Sequence, residues 1–367
     1  MERVYGISMI KPNWDKGKYY YWPDVFARQT GNNGEITIIT GAKGIGKTFG
    51  LRLQCVSDYL QHGQLFVELC RTKVECKAVS LGYFDKLQNA GYFSEHQFKT
   101  DAKAGYINMG TDDNPQWELI CYFVALSNFQ QEKKRTFVRP RRIIFDEAII
   151  DTKDRYHRYL PDEFLIFANL LDTISRQQPD DDYRYNVYLL GNAVDLTCPY
   201  FRQLGITKPP EYGFHWYRDK TVLLHYVEPW DAQERKSNTL VGRMLAGNDE
   251  AKIIFDNEFK DYTQTGEIEG KSQMARYEFA IKYNEWVFAL WVDWKTGIFY
   301  ISEQIPANAA NVFTITKKDG SLDHRVLRKT DSFLKILNES FYIGALRYEN
   351  STMRVAFHSV LDFLGIR

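Results

Sequence analysis

The chain has 367 residues, a length that predicts two or three domains rather than one. Hydrophobic residues make up 44% and charged residues 26%, values that exclude a disordered or collagen-like chain. The 47 Lys and Arg residues balance the 47 Asp and Glu residues, so no overall positive field draws the chain to nucleic acid, and any such contact must be a local patch.

The cysteines and the hydropathy of the sequence indicate the cellular compartment of the protein. The five cysteines are odd in number and include no C-x-x-C pair, which argues against a disulfide framework and against a structural zinc site. No run approaches the roughly 18 apolar residues that a membrane span needs. We therefore expect a protein of a reducing cytoplasm with no membrane partner.

Short apolar runs alternate with helical stretches from about residue 35, which is typical of a mostly parallel sheet covered by helices. The runs predict strands over 36–40, 64–70, 119–126, 142–146 and 186–191. Helices are predicted over 46–61, 73–90 and 161–178. This part of the chain is therefore predicted to be an α/β domain.

The pattern changes after residue 191. Two β-like runs, 214–218 and 221–227, precede a helical connector. Three strands over 277–283, 286–293 and 297–303, joined by tight turns, predict an antiparallel meander, and helices follow over 331–339 and 353–365. We predict an α/β domain over 1–228, a connector over 229–264 and a separate α+β domain over 265–367.

The sharpest motif is a glycine-rich segment that matches G-x-x-x-x-G-K-[ST] and lies between a predicted strand and a predicted helix, as a P-loop requires. Its glycines let backbone N–H groups wrap a phosphate, its lysine reaches the β and γ oxygens, and its hydroxyl can bind Mg²⁺. The alternative, a glycine-rich turn that arose by chance, is disfavoured by that context. The predicted nucleotide-binding residues are Gly41, Ala42, Lys43, Gly44, Ile45, Gly46, Lys47 and Thr48, with Lys43 given a binding role only.

Two acids end the predicted strand over 142–146. Asp146 is predicted to hold Mg²⁺ together with Thr48, and Glu147 to polarise the attacking water. A solvated acidic turn is the alternative, which the upstream P-loop makes the minority interpretation. No guanine-reading N-K-x-D pattern occurs, so we expect ATP as the nucleotide.

Two further polar residues have positions that suit such a site. Asn192 follows the predicted strand over 186–191, at the sheet edge where ligands bind in open α/β sheets, and could sense the γ-phosphate; turn formation explains it equally well. Arg176 lies near the end of a predicted helix. It suits an arginine finger, which in ring motors comes from the neighbouring subunit, or a cation that simply favours a helix C-terminus.

These motifs together resemble the DNA-packaging motor ATPases of small tailed podoviruses, the salasvirus-like, phi29-type family, which is related to terminase large subunits. The segments that carry the resemblance are Gly-Ala-Lys-Gly-Ile-Gly-Lys-Thr (41–48), Ile-Phe-Asp-Glu (144–147), Leu-Leu-Asp-Thr-x-x-Arg (170–176), Gly-Asn-Ala-Val (191–194) with a following Pro-Tyr-Phe (199–201), and Trp-Val-Asp (291–293). They span most of the chain.

The resemblance implies a fold, an activity and partners. The fold would be a P-loop NTPase of the ASCE type, RecA-like or FtsK–HerA-like, followed by an RNase H-like C-terminal domain without nuclease activity. The activity would be ATP-driven translocation of double-stranded viral DNA into a procapsid by a homo-oligomeric ring, expected to be a pentamer. The partners would be DNA, other copies of the chain, the portal or connector, and a prohead RNA, in host cytoplasm with transient docking on the procapsid.

Two basic residues take their roles from the resemblance. Arg176 matches the family's trans-acting finger. Lys133 matches a second basic residue that reaches the neighbour's nucleotide, with Lys134 and Arg135 as close alternatives.

Two other functions stay open. A full terminase would also cut DNA with its C-terminal domain, for which Asp293 is a candidate metal ligand without convincing partners. A nucleotide-gated assembly scaffold would bind ATP with little turnover, and Glu147 argues against it.

Basic side chains give candidate contacts to polynucleotides, although a solvated surface accounts for any single one. The DNA candidates are Arg71, Lys73, Lys77, Lys153 and Arg155. The candidates for RNA or an acidic portal surface are Lys317, Lys318, Arg325, Arg328 and Lys329.

Overall fold

A computed structural model of the chain describes residues 19–29, 35–150, 159–178, 183–192, 196–228, 240–245, 266–316, 325–327 and 331–366. The chain divides into two compact units, the first made of Met1–Tyr200 and Pro210–Phe259 and the second of Phe201–Pro209 and Lys260–Arg367. The short segment Phe201–Pro209 groups with the second unit, which the sequence pattern did not indicate. The segment boundaries drawn after residues 228 and 264 stay predictions.

The first unit is built on one sheet. Within the described residues its strands are β1 (Ile36–Thr40), β2 (Phe66–Cys70), β3 (Phe98–Thr100), β4 (Ala104–Asn108), β5 (Trp117–Ala125), β6 (Arg142–Ile149), β7 (Asn186–Gly191), β8 (Gly213–Tyr217) and β9 (Val222–Tyr226). Their order across the sheet is β3-β4-β5-β2-β6-β7-β1-β9-β8. The strands from β5 to β9 in that order run parallel, and β3, β4 and β8 add antiparallel edges. The predicted mostly parallel α/β sheet is confirmed.

Helices lie between these strands, as parallel connections require. In the described part of the first unit they are α1 (Pro23–Phe26), α2 (Lys47–His62), α3 (Lys73–Ser80), α4 (Asp85–Asn89), α5 (Phe129–Glu132, after a 3₁₀ turn over Leu126–Asn128) and α6 (Glu163–Arg176), followed by α7 (Pro199–Leu204), which reaches into the second unit's segment, and α8 (Leu240–Leu245). The single helix predicted over 73–90 is wrong. Leu81 is extended and Gly82 has a left-handed φ of +64°, so the chain breaks between α3 and α4.

The core of this unit explains why the sheet forms. The side chains of β1 and β2 are buried almost without exception, which is the pattern of parallel strands covered on both faces. β7 lies between β1 and β6, and its last residue pairs with both. A Cβ atom at Gly191 would lie 2.6 Å from Ile149 Cβ, so only glycine fits where these strands meet.

The second unit carries its own sheet. The described strands are β10 (Arg276–Tyr283), β11 (Trp286–Asp293), β12 (Ile298–Ser302), β13 (Val312–Thr314), β14 (Arg325–Val326) and β15 (Leu346–Tyr348), with α9 (Ser332–Tyr342) and α10 (Ser351–Leu364). The order is β14-β13-β10-β11-β12-β15. β10, β11 and β12 form the predicted antiparallel meander, and β13, β14 and β15 are parallel additions that the sequence pattern did not predict.

An apolar cluster between this sheet and its helices includes Phe288, Leu290, Phe357 and Val360, all essentially without solvent exposure. Across the described residues, no helix combines the length and the hydropathy that crossing a bilayer would take.

Candidate active site

The glycine-rich segment forms the turn between β1 and α2. Gly44 and Gly46 have φ values of +80° and +91°, a left-handed backbone that favours glycine, and α2 begins at the next residue, Lys47. The first N–H groups of a helix have no partner within the helix and carry the positive end of its dipole. The segment therefore has the backbone of a P-loop, suited to an anion.

The Lys47 side chain is buried and folded back over this loop. Its amino group donates hydrogen bonds to the carbonyl oxygens of Gly41 at 2.5 Å and Ala42 at 3.0 Å. The ammonium therefore lies beside the first two residues of the loop. A phosphate oxygen would compete with neutral carbonyls for it, and a charge-assisted bond is the stronger one.

A segment before β1 packs against the same loop. The Trp22 indole, with no solvent exposure, donates from Nε1 to the Lys47 carbonyl oxygen at 3.0 Å. The Tyr20 N–H donates to the Ile45 carbonyl oxygen at 2.7 Å. No motif points to Trp22, and its role in supporting the P-loop was missed from the sequence.

Thr48 and Asp146 meet at the carboxyl edge of the sheet. The Thr48 hydroxyl donates to Asp146 Oδ1 at 2.9 Å, although 98 positions separate the two residues. A hydroxyl and a carboxylate are the hard oxygen donors that Mg²⁺ prefers beside nucleotide phosphates. The donor set therefore fits the predicted magnesium role of both residues.

A buried ion pair lies behind these two residues. Arg52, one turn after Thr48 on α2, pairs with Glu68 on β2, and the Tyr83 hydroxyl donates to the other Glu68 oxygen at 2.7 Å. The pKa of Glu68 is raised, because its burial outweighs the Arg52 charge and these hydrogen bonds, which lower the pKa. This pair is not recognisable from the sequence, because its members lie 16 positions apart in unrelated patterns.

Glu147 is solvent-exposed and follows Asp146 with an unusual backbone. Its φ is +52°, a left-handed conformation that costs a non-glycine residue about 1–2 kcal/mol, and the β6–β7 register shifts between Phe145 and Ile149. The strand thus bulges at the residue predicted to activate water. Such strain is kept only where surrounding structure holds it.

Buried Arg71 is one such support. Its guanidinium contacts the Glu147 carbonyl oxygen at 3.4 Å and donates to the Ala148 carbonyl oxygen at 3.1 Å and to Glu163 Oε2 at 2.8 Å. Only 4% of the residue is exposed, so the prediction that Arg71 contacts DNA is wrong. Of the other candidate DNA contacts, Lys73 and Lys77 are exposed, and Lys153 and Arg155 lie outside the described residues.

Asn192 lies beside the P-loop, and Lys43 lies within it. The Gly41 N–H donates to the Gly191 carbonyl oxygen at 3.2 Å, so the residue after Gly191, half-buried Asn192, adjoins the start of the loop. Lys43 is exposed on the turn itself.

Arg176 lies far from this edge along its own chain. α6 begins at Glu163 beside the Glu147 main chain and runs for 14 residues, so at about 1.5 Å per residue its last residue is roughly 20 Å away. The Arg176 side chain is 68% exposed and pairs with Asp172, also exposed, at 2.8 Å. The structure does not bring Arg176 to the P-loop of the same chain.

The second predicted basic residue lies near Arg176. The Gln177 side chain bonds to the Arg135 carbonyl oxygen at 2.9 Å and to the Phe137 N–H at 2.8 Å, which ties the end of α6 to the segment after α5. Lys133 begins that segment, is exposed, and has its ammonium 4.4 Å from the Phe129 ring centroid. Arg135, by contrast, donates to the Phe123 and Lys103 carbonyl oxygens of its own chain.

The acids of the second unit do not converge. The Lys295 N–H, at 3.0 Å, and the Thr296 N–H, at 3.4 Å, donate to Asp293 Oδ1 within the turn after β11. Burial would raise the pKa of Asp293, but hydrogen bonds from the side chain of Ser272 and from these N–H groups outweigh it and lower the pKa. Among the described residues no group of three or more His, Cys, Asp or Glu side chains is placed to hold a metal ion.

The basic cluster proposed for RNA is mostly outside the structure. Arg325 begins β14, and Lys317, Lys318, Arg328 and Lys329 lie outside the described residues.

The sheet and the glycine-rich turn define a P-loop α/β protein with a strand-end acid beside the loop. Residues 14–364 match the podovirus DNA encapsidation protein (Gp16) family, and the chain belongs to that family.

Individual relatives agree with this assignment. The chain is 28% identical over 321 residues to the DNA packaging protein of Bacillus phage phi29, covering 87% of this chain and 91% of that protein. Its fold is similar to a chain of the bacteriophage phi29 genome packaging motor assembly, with a TM-score of 0.65 and 24% identity over 95% of this chain and 99% of the other. A chain of the Phi-28 DNA packaging motor gives a TM-score of 0.68 at 18% identity, over 96% and 99%.

Proposed function

We propose that this chain is the ATP-hydrolysing subunit of a homo-oligomeric, pentameric ring that moves double-stranded viral DNA into a procapsid. The observation that carries the proposal is the Thr48–Asp146 hydrogen bond, which joins the P-loop to the strand that presents Glu147. The similar chains from phi29 and Phi-28 belong to proteins named for DNA packaging, which supports the translocation step.

The nucleotide would lie on the loop from Gly41 to Thr48, with Lys43 and Asn192 at its rim. Thr48 and Asp146 would hold Mg²⁺, which supplies charge neutralisation at the β and γ oxygens. Lys47 would move from its carbonyl partners to the phosphates. Glu147, exposed at the bulge, would orient and deprotonate the attacking water.

Completion of the site would come from the next subunit. Arg176 lies roughly 20 Å along α6 from the end of that helix that adjoins the bulge at Glu147. It is therefore poorly placed to act on the nucleotide of its own chain, and its exposed side chain could act on another. Lys133 shares that surface and would approach the same neighbouring nucleotide, with Lys134 as the adjacent alternative. Each ATP site would then depend on two chains.

The finer fold assignment is also a proposal. β7 separates the P-loop strand β1 from the acid-bearing β6, which supports the ASCE type, RecA-like or FtsK–HerA-like. In the second unit, β13 and β14 continue the sheet beside β10, the first strand of the meander, which supports an RNase H-like domain. We place the ATPase domain at 1–228, the connector at 229–264 and this domain at 265–367.

The partners and alternatives follow from the same assignment. The portal or connector of the procapsid and a prohead RNA would be docking partners, in host cytoplasm during assembly. A full terminase is disfavoured because Asp293 serves its own turn. A nucleotide-gated scaffold is disfavoured because Glu147 has the exposure and position of a catalytic base.

The test is the ATPase rate of mixed variants of the full chain with duplex DNA. Glu147→Gln alone and Arg176→Ala alone should each be inactive. In a ring, a random equal mixture pairs an intact base with an intact arginine at about a quarter of the interfaces, so turnover should partly return.

Two controls fix the interpretation. In a mixture of Glu147→Gln with Lys47→Ala, every subunit carries a defect in its own ATP site, although both chains supply Arg176. This mixture should therefore restore no turnover. If Glu147→Gln with Arg176→Ala also restores nothing while each variant binds a fluorescent ATP analogue, completion in trans is refuted.

A further inference from the structure

A second polar contact between α2 and the sheet lies one helical turn behind the predicted magnesium ligands. Arg52 follows Thr48 by four residues on α2, about 6 Å along the helix. Its partner Glu68, on β2, pairs in register with Ile144, two residues before Asp146, so it lies roughly 7 Å back along the neighbouring strand. The two contacts that α2 makes with these strands are therefore successive layers on one face of the sheet.

Glu68 holds the arginine at β2. Its side chain is 1% exposed, one of its oxygens accepts from Arg52 Nη2, and the other accepts from the Tyr83 hydroxyl at 2.7 Å. The Tyr83 ring lies 4.5 Å from the Arg52 Cζ atom and confines the guanidinium. Arg52 Nε is buried and has no hydrogen-bond partner among the residues that the structure describes, so the guanidinium keeps a donor for a further acceptor.

The charges of the two layers act on each other. Burial has the largest effect on both pKa values, lowering that of Arg52 and raising that of Glu68, and the Asp146 charge raises both. Asp146 therefore lies within electrostatic range of both members of the pair. A cation at Asp146 would be repelled by the arginine and attracted by the glutamate, and these two effects largely cancel while the pair is intact.

We propose that Glu68 is a positioning residue for the magnesium site, because it holds the Arg52 guanidinium at β2, cancels its charge and so leaves Asp146 to the metal. Without Glu68, the guanidinium has Asp146 as the next carboxylate and competes with Mg²⁺ for it. The inference rests on the proposed function, since it requires Thr48 and Asp146 to be the Mg²⁺ ligands. It concerns the affinity for the metal and not the hydrolytic step.

The test measures binding of a fluorescent ATP analogue to the full chain as a function of Mg²⁺ concentration. Glu68→Gln keeps an oxygen that can accept hydrogen bonds but removes the negative charge, so the arginine charge is no longer cancelled. Half-maximal binding should then need roughly 5- to 50-fold more Mg²⁺, as expected for one charge acting on a divalent ion at about one helical turn. A wild-type Mg²⁺ requirement in Glu68→Gln would overturn the proposal.

Binding in EDTA separates this effect from damage to the P-loop. Metal-free ATP is an anion, so the additional positive charge in Glu68→Gln should not weaken its binding and should tighten it if it changes at all. A distorted P-loop would bind the analogue less tightly with or without Mg²⁺. Equal weakening under both conditions would show a merely structural role for Glu68.

Removal of the arginine should rescue the metal site. In the double variant Arg52→Gln with Glu68→Gln both charges are gone, and the Mg²⁺ requirement should return to within about threefold of the wild-type value although stability is lower. A double variant that needs as much Mg²⁺ as Glu68→Gln, or more, contradicts the proposal. If Glu68→Gln fails to fold, Arg52→Gln carries the test, because loss of the competing cation should not raise the Mg²⁺ requirement and a rise would refute the role.

Asp58→Asn is the matched control. Asp58 is also the acid of an ion pair between α2 and the sheet, bonded to Arg142 of β6 at 2.8 Å, but it lies ten residues after Thr48, about 15 Å along α2. Its loss should lower thermal stability and leave the Mg²⁺ requirement unchanged. Equal shifts in Glu68→Gln and Asp58→Asn would mean that any broken ion pair of α2 disturbs the site.

The outcomes also separate this inference from the proposed function. If Asp146→Asn leaves the Mg²⁺ requirement unchanged, Asp146 is not a metal ligand, and the inference fails together with that part of the proposed function. If Asp146→Asn raises the requirement but Glu68→Gln does not, the role of Glu68 alone fails.

Discussion

Asp146 and Asp293 occupy the same place in two sequence patterns, the end of an apolar strand, yet they have different partners. Asp146 accepts a hydrogen bond from Thr48, on another element of the first unit. Asp293 accepts from Lys295 and Thr296, two and three positions further along its own turn. Asp146 thereby joins the P-loop to a strand end, whereas Asp293 is held by the backbone of the turn after β11 and by the Ser272 side chain, and so fixes that turn.

This difference concerns what each carboxylate can still bind. Next to Asp146 stand a hydroxyl and a glycine-rich turn, so a cation and a phosphate would find complementary groups. Next to Asp293, two backbone donors occupy Oδ1, and Trp294 donates to neighbouring Glu278 at 2.8 Å. Asp293 therefore serves the structure of its own surroundings rather than a ligand site.

The largest expected difference is in hydrolysis. Asp146→Asn removes a charge that would hold Mg²⁺, a contribution of several kcal/mol, so kcat should fall by at least about 100-fold. Asp293→Asn should leave kcat within about twofold, because the residue lies in a turn of the other unit. The measurement is the DNA-stimulated ATPase rate of each purified variant. Comparable losses in both would erase the distinction between the two acids.

The sequence alone predicts some parts of the fold and the site but not others. The P-loop, β1, β7 and the Asp146–Glu147 strand end were predictable because their chemistry is written in contiguous residues. Arg71 and Glu163 were not, because an arginine after a strand has the same pattern whether it faces DNA or a buried carboxylate 92 positions away. That partner comes into reach only in the fold, where β2 pairs with β6 and α6 follows β6 in the chain.

Two short strands were not predicted for a related reason. β3 and β13 have three residues each, too few for an alternating pattern to be recognised. Their positions are set by pairing with β4 and β10 rather than by their own composition.

The two units should also differ in their response to acid. Burial, followed by the nearby Arg28 charge, lowers the pKa of His225 in β9 from 6.5 to about 4. The Nδ1 atom of His225 is hydrogen-bonded to the Tyr20 hydroxyl at 2.7 Å. Between pH 6.5 and 4 the unfolded chain takes up a proton that the folded chain refuses, so the first unit should lose at most about 3 kcal/mol as pH falls through this range. Because the pKa of Asp293 is lowered in the folded protein, this residue keeps its full contribution to the stability of the second unit until the pH falls below the ordinary pKa of 3.8.

Urea unfolding at pH 7, 5.5 and 4.5 tests this, with hydrogen exchange pulses at one fixed pH to assign each transition to a unit. His225→Gln keeps an acceptor for Tyr20 and does not titrate, so its first unit should retain more stability at pH 4.5 than the wild-type protein does. A second-unit transition that weakens first would contradict the expectation.

A smaller difference should separate two tryptophans. Trp22→Phe loses the bond from Nε1 to the Lys47 carbonyl oxygen and leaves space in the core, so stability should fall by about 2 kcal/mol and ATP affinity should weaken. Trp294→Phe in the second unit loses a bond to Glu278 on a residue that is 63% exposed, and stability should change by less than about 0.5 kcal/mol. Thermal unfolding and analogue titration measure both. Equal effects would show that the Trp22 contact does not support the P-loop.

The smallest expected effect on stability belongs to Arg176. Its ion pair with Asp172 joins side chains that are 68% and 57% exposed, and such pairs contribute about 0–1 kcal/mol, so Arg176→Ala should change the free energy of unfolding by less than about 0.5 kcal/mol. Arg202 is the contrasting case in the second unit, because its side chain is 8% exposed and paired with Asp362, which is 32% exposed, and Arg202→Ala should lose about 2 kcal/mol. A large stability loss in Arg176→Ala would mean that α6 needs the arginine for its own structure. A stable but inactive variant leaves the neighbouring subunit as the place where the side chain acts.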